Sequence, residues 1–271
     1  MPILLELGGL LQTVAGGALL IGCSAVALNA SRVRPLAARW AVPAVLASTA
    51  ANAVTPAGLG GSALMARMHS RTGLTADEAV AAVSLRALAS GVAGVLIATL
   101  AAATLGLAGP SLPGGSLAPV LLVTLLVGGV ALALACPHRR GRVAVHLRST
   151  GAAVAEVLTR PGRTAALLLG ALGVVGAQLL ILDGAVRAVG GDVGFGALLV
   201  TLLGSSAARA AVPSPGGVGP VEAALVAGLA ALGIPVAAAA IAVGVYRTAG
   251  LWLPVIAGGF ALRSLRRAAL L

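Results

Sequence analysis

The sequence predicts an all-α integral membrane fold, with about five transmembrane helices and two re-entrant broken-helix hairpins arranged as an inverted repeat. Three observations predict it: an extreme apolar composition, arginines gathered between apolar runs, and Pro/Gly breaks at two corresponding places. The 271 residues are 59% hydrophobic and only 9% charged, with a mean hydropathy of +1.07, where a soluble domain carries roughly 25% charged residues. Small residues recur at helical spacing, which suits close helix packing in lipid. All 18 basic residues are arginine, against seven acids, giving a net charge of +11. They lie between apolar runs rather than along one polar face, so membrane topology explains them and nucleic-acid binding is not expected. Cys23 and Cys136 lack the number and spacing of a disulfide framework or metal site and read as apolar packers.

A hydrocarbon core of about 30 Å needs about 20 apolar helical residues. Residues 3–29, 77–107, 117–136, 164–187 and 236–262 satisfy this. The first reads as a retained span, since Glu6 precedes any arginine and the first arginine is Arg32. Segments 41–71 and 195–232 are long enough but are interrupted by TPAGLGG and PSPGGVGP, and proline with clustered glycine breaks a helix. Arg32, Arg34 and Arg39 precede the first interrupted segment and Arg67 and Arg71 follow it. A hairpin with both flanks in the cytoplasm satisfies the positive-inside rule where a crossing would not. With the uncharged linker 108–116 and segment 188–194 outside, fourteen of the 18 arginines become cytoplasmic. The expected topology in the cell membrane is N-terminus outside and C-terminus cytoplasmic, and the second hairpin then dips in from the outer face. Residues 142–160 read either as an Arg-bearing helix on the cytoplasmic interface or as a plain loop.

Thr55-Pro56-Ala57-Gly58-Leu59-Gly60 aligns with Ser214-Pro215-Gly216-Gly217-Val218-Gly219, a hydroxyl-Pro-x-Gly-aliphatic-Gly pattern offset by 159 positions. Downstream, Gly73-Leu74 aligns with Gly233-Ile234, and each pair precedes an Ala-rich span holding one arginine, Arg86 or Arg247. A single membrane domain is expected over 1–271, with repeat 1 at about 1–136, an interfacial linker at about 137–163 and repeat 2 at about 164–271. Broken segments in corresponding positions of inverted repeats point to a transporter's binding site. Irregular backbone at membrane depth also needs a cavity or protein partners.

The candidate substrate-binding residues are Arg86, Arg209, Glu222 and Arg247. An arginine near the bilayer centre costs roughly 2.5–3.5 kcal/mol on insertion scales, so it faces a partner, a cavity or a ligand, or else snorkels to the interface. Arg209 and Glu222 flank the second break, where each also complements a helix dipole, and Pro220 fits the first position of the following helix. Glu222 is expected to pair with Arg209 or Arg247, leaving the other for an anionic ligand. The break residues Pro56, Gly58, Gly60, Pro215, Gly216, Gly217 and Gly219 are candidates for supplying backbone donors, including an anion-binding nest in GGVG. Thr75-Ala76-Asp77-Glu78 reads as a capping box. Asp183, Arg187 and Asp192 read as solvated at the outer surface, Gln12 as bonded to another helix, and His69, His138 and His146 as members of basic cytoplasmic stretches. No catalytic triad, Walker or zinc-ligand pattern is present. No cofactor or metal is expected.

PSPGGVGPVEAAL, followed by Gly233 and Tyr246-Arg247, resembles the C-terminal signature of the flippase-like membrane domain of lysylphosphatidylglycerol synthases and of stand-alone bacterial and archaeal membrane proteins. NAVTPAGLGGSALMARMHSRTGLTADEAVAAVSLRAL resembles its N-terminal signature, with Pro56, Gly60, Arg67, Gly73 and Arg86 in matching places, so the resemblance covers about residues 40–265. Members often carry an acid directly after the first PxxxG, where this chain has Gly61 and Ser62, and the motif's arginine is here Ala57. The soluble aminoacyl-transfer domain is absent from these residues, so lysyl transfer is not expected. The resemblance implies a translocase moving an anionic phospholipid or lipid-linked headgroup between leaflets. The alternative is a non-transporting scaffold for a separately encoded glycosyltransferase or synthase.

Overall fold

The computed structural model describes residues 2–32, 34–55, 59–104, 151, 155–156, 159–212 and 214–271, which are all helix, turn or loop. The predicted span 117–136, the linker 108–116, most of the interfacial segment 142–160, Cys136, His138, His146, and the break residues Pro56 and Gly58 lie outside the described residues.

The helices in chain order are α1 (Pro2–Ala30), α2 (Ala38–Ala53), α3 (Leu59–Arg71), α4 (Ala76–Thr104), α5 (Pro161–Ala188), α6 (Phe195–Ala211), α7 (Pro220–Ala231), α8 (Val236–Arg247) and α9 (Leu253–Arg267). Among the described residues, three are long and apolar enough to cross a membrane: α1, α5 and the continuous rod α8–α9. Shorter apolar stretches lie in α4, α6 and α7. Both predicted interruptions are present, since α2 stops at Ala53 and α6 at Ala211. The second break is a single 3-10 turn over Pro215–Gly217. Pro220 occupies the first turn of α7, as its fixed φ and missing N–H favour. Thr75 and Glu78 form the expected reciprocal cap of α4, with Thr75 N–H donating to Glu78 Oε2 and Glu78 N–H to Thr75 Oγ1.

Small residues set the packing. α1 and α5 run antiparallel in contact along their length, with Gly9 against Gly184 and Ala188, Gly16 against Ala177 and Ile181, and Gly170 against Ala27 and Cys23. A Cβ on Gly9 would come within 2.6 Å of both the Gly184 carbonyl and the Ala188 nitrogen. α2 packs on α9 through Ala47, Gly258, Ala261 and Leu265. The largest core gathers Ile181 and Leu182 of α5, Leu198 and Leu202 of α6, Leu225 and Leu229 of α7, and Ala242 and Tyr246 of α8. Leu11, Val14, Leu169, Ile256 and Phe260 face outward and exposed, as lipid-facing positions do in a membrane helix.

Polar contacts fix which helix ends lie together. Arg32, just past α1, donates Nη2 to Thr72 Oγ1, just past α3, and Arg163 in the first turn of α5 donates to the Arg32 carbonyl. Asn29 brackets Leu36 ahead of α2 through both its amide groups. The hairpin α2–α3 therefore leaves and returns at one arginine-rich end. At the far end of α5, Gly191 sits against Ile234, which follows α7, so the hairpin α6–α7 leaves and returns at the opposite end. The two meet inside: a Cβ on Gly216, at the second break, would lie 3.4 Å from the Cα of Ala53 at the end of α2.

Asp183 corrects an expectation of solvation. It is 2% exposed, and its Oδ2 accepts from Gln12 Nε2 at 2.7 Å and from Arg187 Nε at 2.8 Å. A carboxylate so buried is held by two donors, which locks α1 to α5 and bears out the expectation that Gln12 bonds to another helix.

Candidate functional site

A cavity of about 560 Å³ lies where the two breaks approach each other, within the range of small-molecule sites. α1, α2, α4, α5, α6, the second break and α8–α9 all contribute to its wall. Arg86, Arg209 and Arg247 line it together, with Asn52, Gln178 and Tyr246. Arg86 is ten residues into α4 and Arg247 eleven into the α8–α9 rod. At 1.5 Å per residue, each lies about 15 Å from its helix start, roughly half the thickness of a hydrocarbon core.

Glu222 pairs with Arg247. Arg247 Nε donates to Glu222 Oε1 at 2.5 Å and Nη2 donates to the Gly216 carbonyl at 3.0 Å. Glu222 Oε2 accepts the Gly219 N–H at 2.7 Å, capping α7. One carboxylate thus closes the turn and fixes the guanidinium, which is 5% exposed. A wide turn follows Arg247: Leu253 N–H reaches back five residues to the Thr248 carbonyl. Pro254 has no N–H to hold the ordinary register here, and such π-turns often mark functional sites.

Arg209 and Arg86 are different. Neither forms a hydrogen bond or ion pair with another described residue. Arg209 lies across Gly217, where a Cβ would sit 3.1 Å from its Nε, and Gly217 has φ +69. Glycine is needed there for both the backbone and the close approach.

Several of the described backbone donors at the breaks are already taken. The N–H groups of Gly217 and Val218 donate to Ser214 and Pro215 carbonyls, and that of Gly219 goes to Glu222. Gly60 N–H donates to Thr55 Oγ1 at 2.8 Å and Gly61 N–H to Asn52 Oδ1 at 2.7 Å. A 3-10 turn satisfies its own amides, and polar side chains cap the helices that follow. At GGVG three of the four N–H groups are thus engaged within the turn, and Gly216 presents its carbonyl to Arg247.

Sequence reading also missed Asn52, Tyr246, Arg32 and His69. Asn52 fills the space beside Gly61 so closely that a Cβ at position 61 would collide with its amide. A side chain at position 61 would require the Asn52 amide to move. His69, expected in a basic cytoplasmic stretch, is 1% exposed. Its Nδ1 lies 3.5 Å from the Ala79 carbonyl, and burial, with Arg32 nearby, pushes its pKa down to about 4. Arg32 is also 1% exposed and is held by the Arg34 carbonyl and Thr72.

Apolar helices surrounding a cationic cavity at mid-depth define a multi-pass helical membrane protein with an anion-compatible interior. Residues 6–258 match the family described as the lysylphosphatidylglycerol synthase TM region, and the chain belongs to that family. Searches of curated proteins and of solved structures each returned no match.

Proposed function

We propose that this protein is a lipid translocase moving an anionic phospholipid or lipid-linked headgroup between leaflets. The observation that carries this reading is the pair Arg86 and Arg209, two guanidiniums without described partners in a cavity at mid-depth. Charge left uncompensated there is costly unless a ligand supplies the counter-charge. Arg247, already neutralised by Glu222, is the positioning member that holds the second break in shape. Its role is to keep Arg209 and the cavity wall in register.

In this proposal the two hairpins are re-entrant, the chain is one domain of two inverted repeats, and the N-terminus lies outside with the C-terminus in the cytoplasm. Hairpins that enter from opposite ends and touch at Ala53 and Gly216 support that arrangement. A scaffold for a separately encoded enzyme is disfavoured, because it gives unpaired arginines at mid-depth no use. The proposed role is transport rather than catalysis.

Reconstitution tests the proposal. Proteoliposomes holding the full chain should move a fluorescent anionic phospholipid between leaflets at least ten times faster than empty vesicles, and a zwitterionic one much less. Equal rates with and without protein for every anionic lipid would sink the translocase reading.

A further inference from the structure

A second, smaller chamber of about 210 Å³ adjoins the main cavity, and Arg86 and Asn52 line both. Its other polar wall residues are Ser31, Ser48, Ser62, His69 and Ser90. Ser31, Ser48 and His69 present lone pairs rather than protons. The Ser31 and Ser48 hydroxyls already donate to the Leu28 and Val45 carbonyls, so their oxygens remain free to accept. His69 Nδ1 faces the Ala79 carbonyl at 3.5 Å, which only accepts, so we assign the ring proton to Nδ1 and leave Nε2 as an acceptor. That Nε2 is buried and has no partner among the described residues. An unmatched buried acceptor is costly, and a donor from a ligand would relieve that cost. The ring's depressed pKa keeps it neutral at physiological pH, so Nε2 stays an acceptor.

Acceptors attract both hydroxyl and ammonium donors, and electrostatics decides between them. No carboxylate stands among the described residues of the chamber wall. Arg32 and Arg86 both act on His69 with positive charge, so a headgroup cation would be repelled on entry. A neutral donor is not.

We propose that this chamber receives the uncharged polyol headgroup of an anionic phospholipid, glycerol or a sugar, while Arg86 at its junction with the main cavity takes the phosphate. Each ligand hydroxyl donates to a serine oxygen or to His69 Nε2. The inference rests on the translocase reading and narrows it: a headgroup carrying an amine, ethanolamine or an aminoacyl group, is excluded. His69 and Ser48 then determine headgroup choice, and Arg86 the affinity common to all phospholipids.

Equilibrium binding separates the inference from transport. The detergent-solubilised full chain is titrated calorimetrically with dihexanoyl phosphatidylglycerol, phosphatidylethanolamine and phosphatidic acid, and with soluble sn-glycerol 3-phosphate. Phosphatidylglycerol should bind at least ten-fold more tightly than the ethanolamine lipid and several-fold more tightly than phosphatidic acid, and glycerol phosphate should bind weakly. His69→Phe should bring phosphatidylglycerol down to the level of phosphatidic acid and leave the latter unchanged, while His69→Gln, which keeps an acceptor, should retain part of the preference. If His69→Phe fails to fold, Ser48→Ala carries the same test with a several-fold loss. Phosphatidylethanolamine binding as tightly as phosphatidylglycerol would overturn the polyol assignment and leave the translocase reading standing. Glycerol phosphate matching the lipid would replace the lipid with a soluble ligand. Binding of no phospholipid would overturn both.

Discussion

At the scale of residues, the account turns on which charges are compensated. Arg247 is 5% exposed and Glu222 29%, so removing the carboxylate strands the more deeply buried partner. Glu222→Ala should therefore lower stability by about 3 kcal/mol and Arg247→Ala by less, with the double variant recovering part of the loss. Thermal unfolding of the purified protein measures this, and a double variant as unstable as the sum of the singles would show that the two do not interact. His69 makes a pH prediction. Its unfolded pKa is about 6.5 and its folded value about 4, so above pH 6.5 both states are neutral and no penalty applies. As pH falls from 6.5 toward 4 the unfolded state takes the proton first, and stability drops by on the order of 3 kcal/mol. His69→Gln should flatten that decline; an unchanged slope would remove His69 as its cause. The pairing of Glu222 with one of two arginines was legible in the sequence because few charges stand near the second break. The burial of Asp183 and His69 was not, since each lies beside arginines that made its stretch read as a solvated surface.

At the scale of elements, the breaks were visible as Pro/Gly runs, and their ends fall where proline chemistry puts them. What satisfied the broken backbone was hidden. Asn52 near the end of α2 and Thr55 just past it cap α3, and nothing in local spacing distinguishes such residues from other polar residues of an Ala-rich stretch. The wide turn after Arg247 was equally silent, because a single Pro254 inside a long apolar run does not disclose how a helix absorbs it. Helix contacts make a sharper prediction. Gly184 meets the Gly9 carbonyl and Thr13 at under 3 Å for an added Cβ, whereas Gly8 meets nothing within 4 Å. Gly184→Val should destabilise by about 1–3 kcal/mol through overpacking, while Gly8→Ala should be neutral or slightly stabilising. Equal unfolding temperatures for the two variants would contradict the α1–α5 interface.

Across the whole molecule, the apolar class and the family were legible from composition and two motifs. The juxtaposition of Ala53 with Gly216, 163 positions apart in sequence, was beyond pattern reading because it depends on how α2, α6 and α9 stack. That meeting places Arg86 and Arg209 on one cavity, and in the proposed function these two charges carry the lipid's phosphate through it. The most direct measurement is the rate of fluorescent phosphatidylglycerol movement in proteoliposomes for wild type, Arg86→Gln, Arg209→Gln and the control Arg187→Gln in the last turn of α5, each checked for equal folding. The account predicts at least a ten-fold loss for the Arg86 and Arg209 variants and a wild-type rate for Arg187→Gln. Wild-type rates for both Arg86→Gln and Arg209→Gln, with lipid still moving, would contradict it.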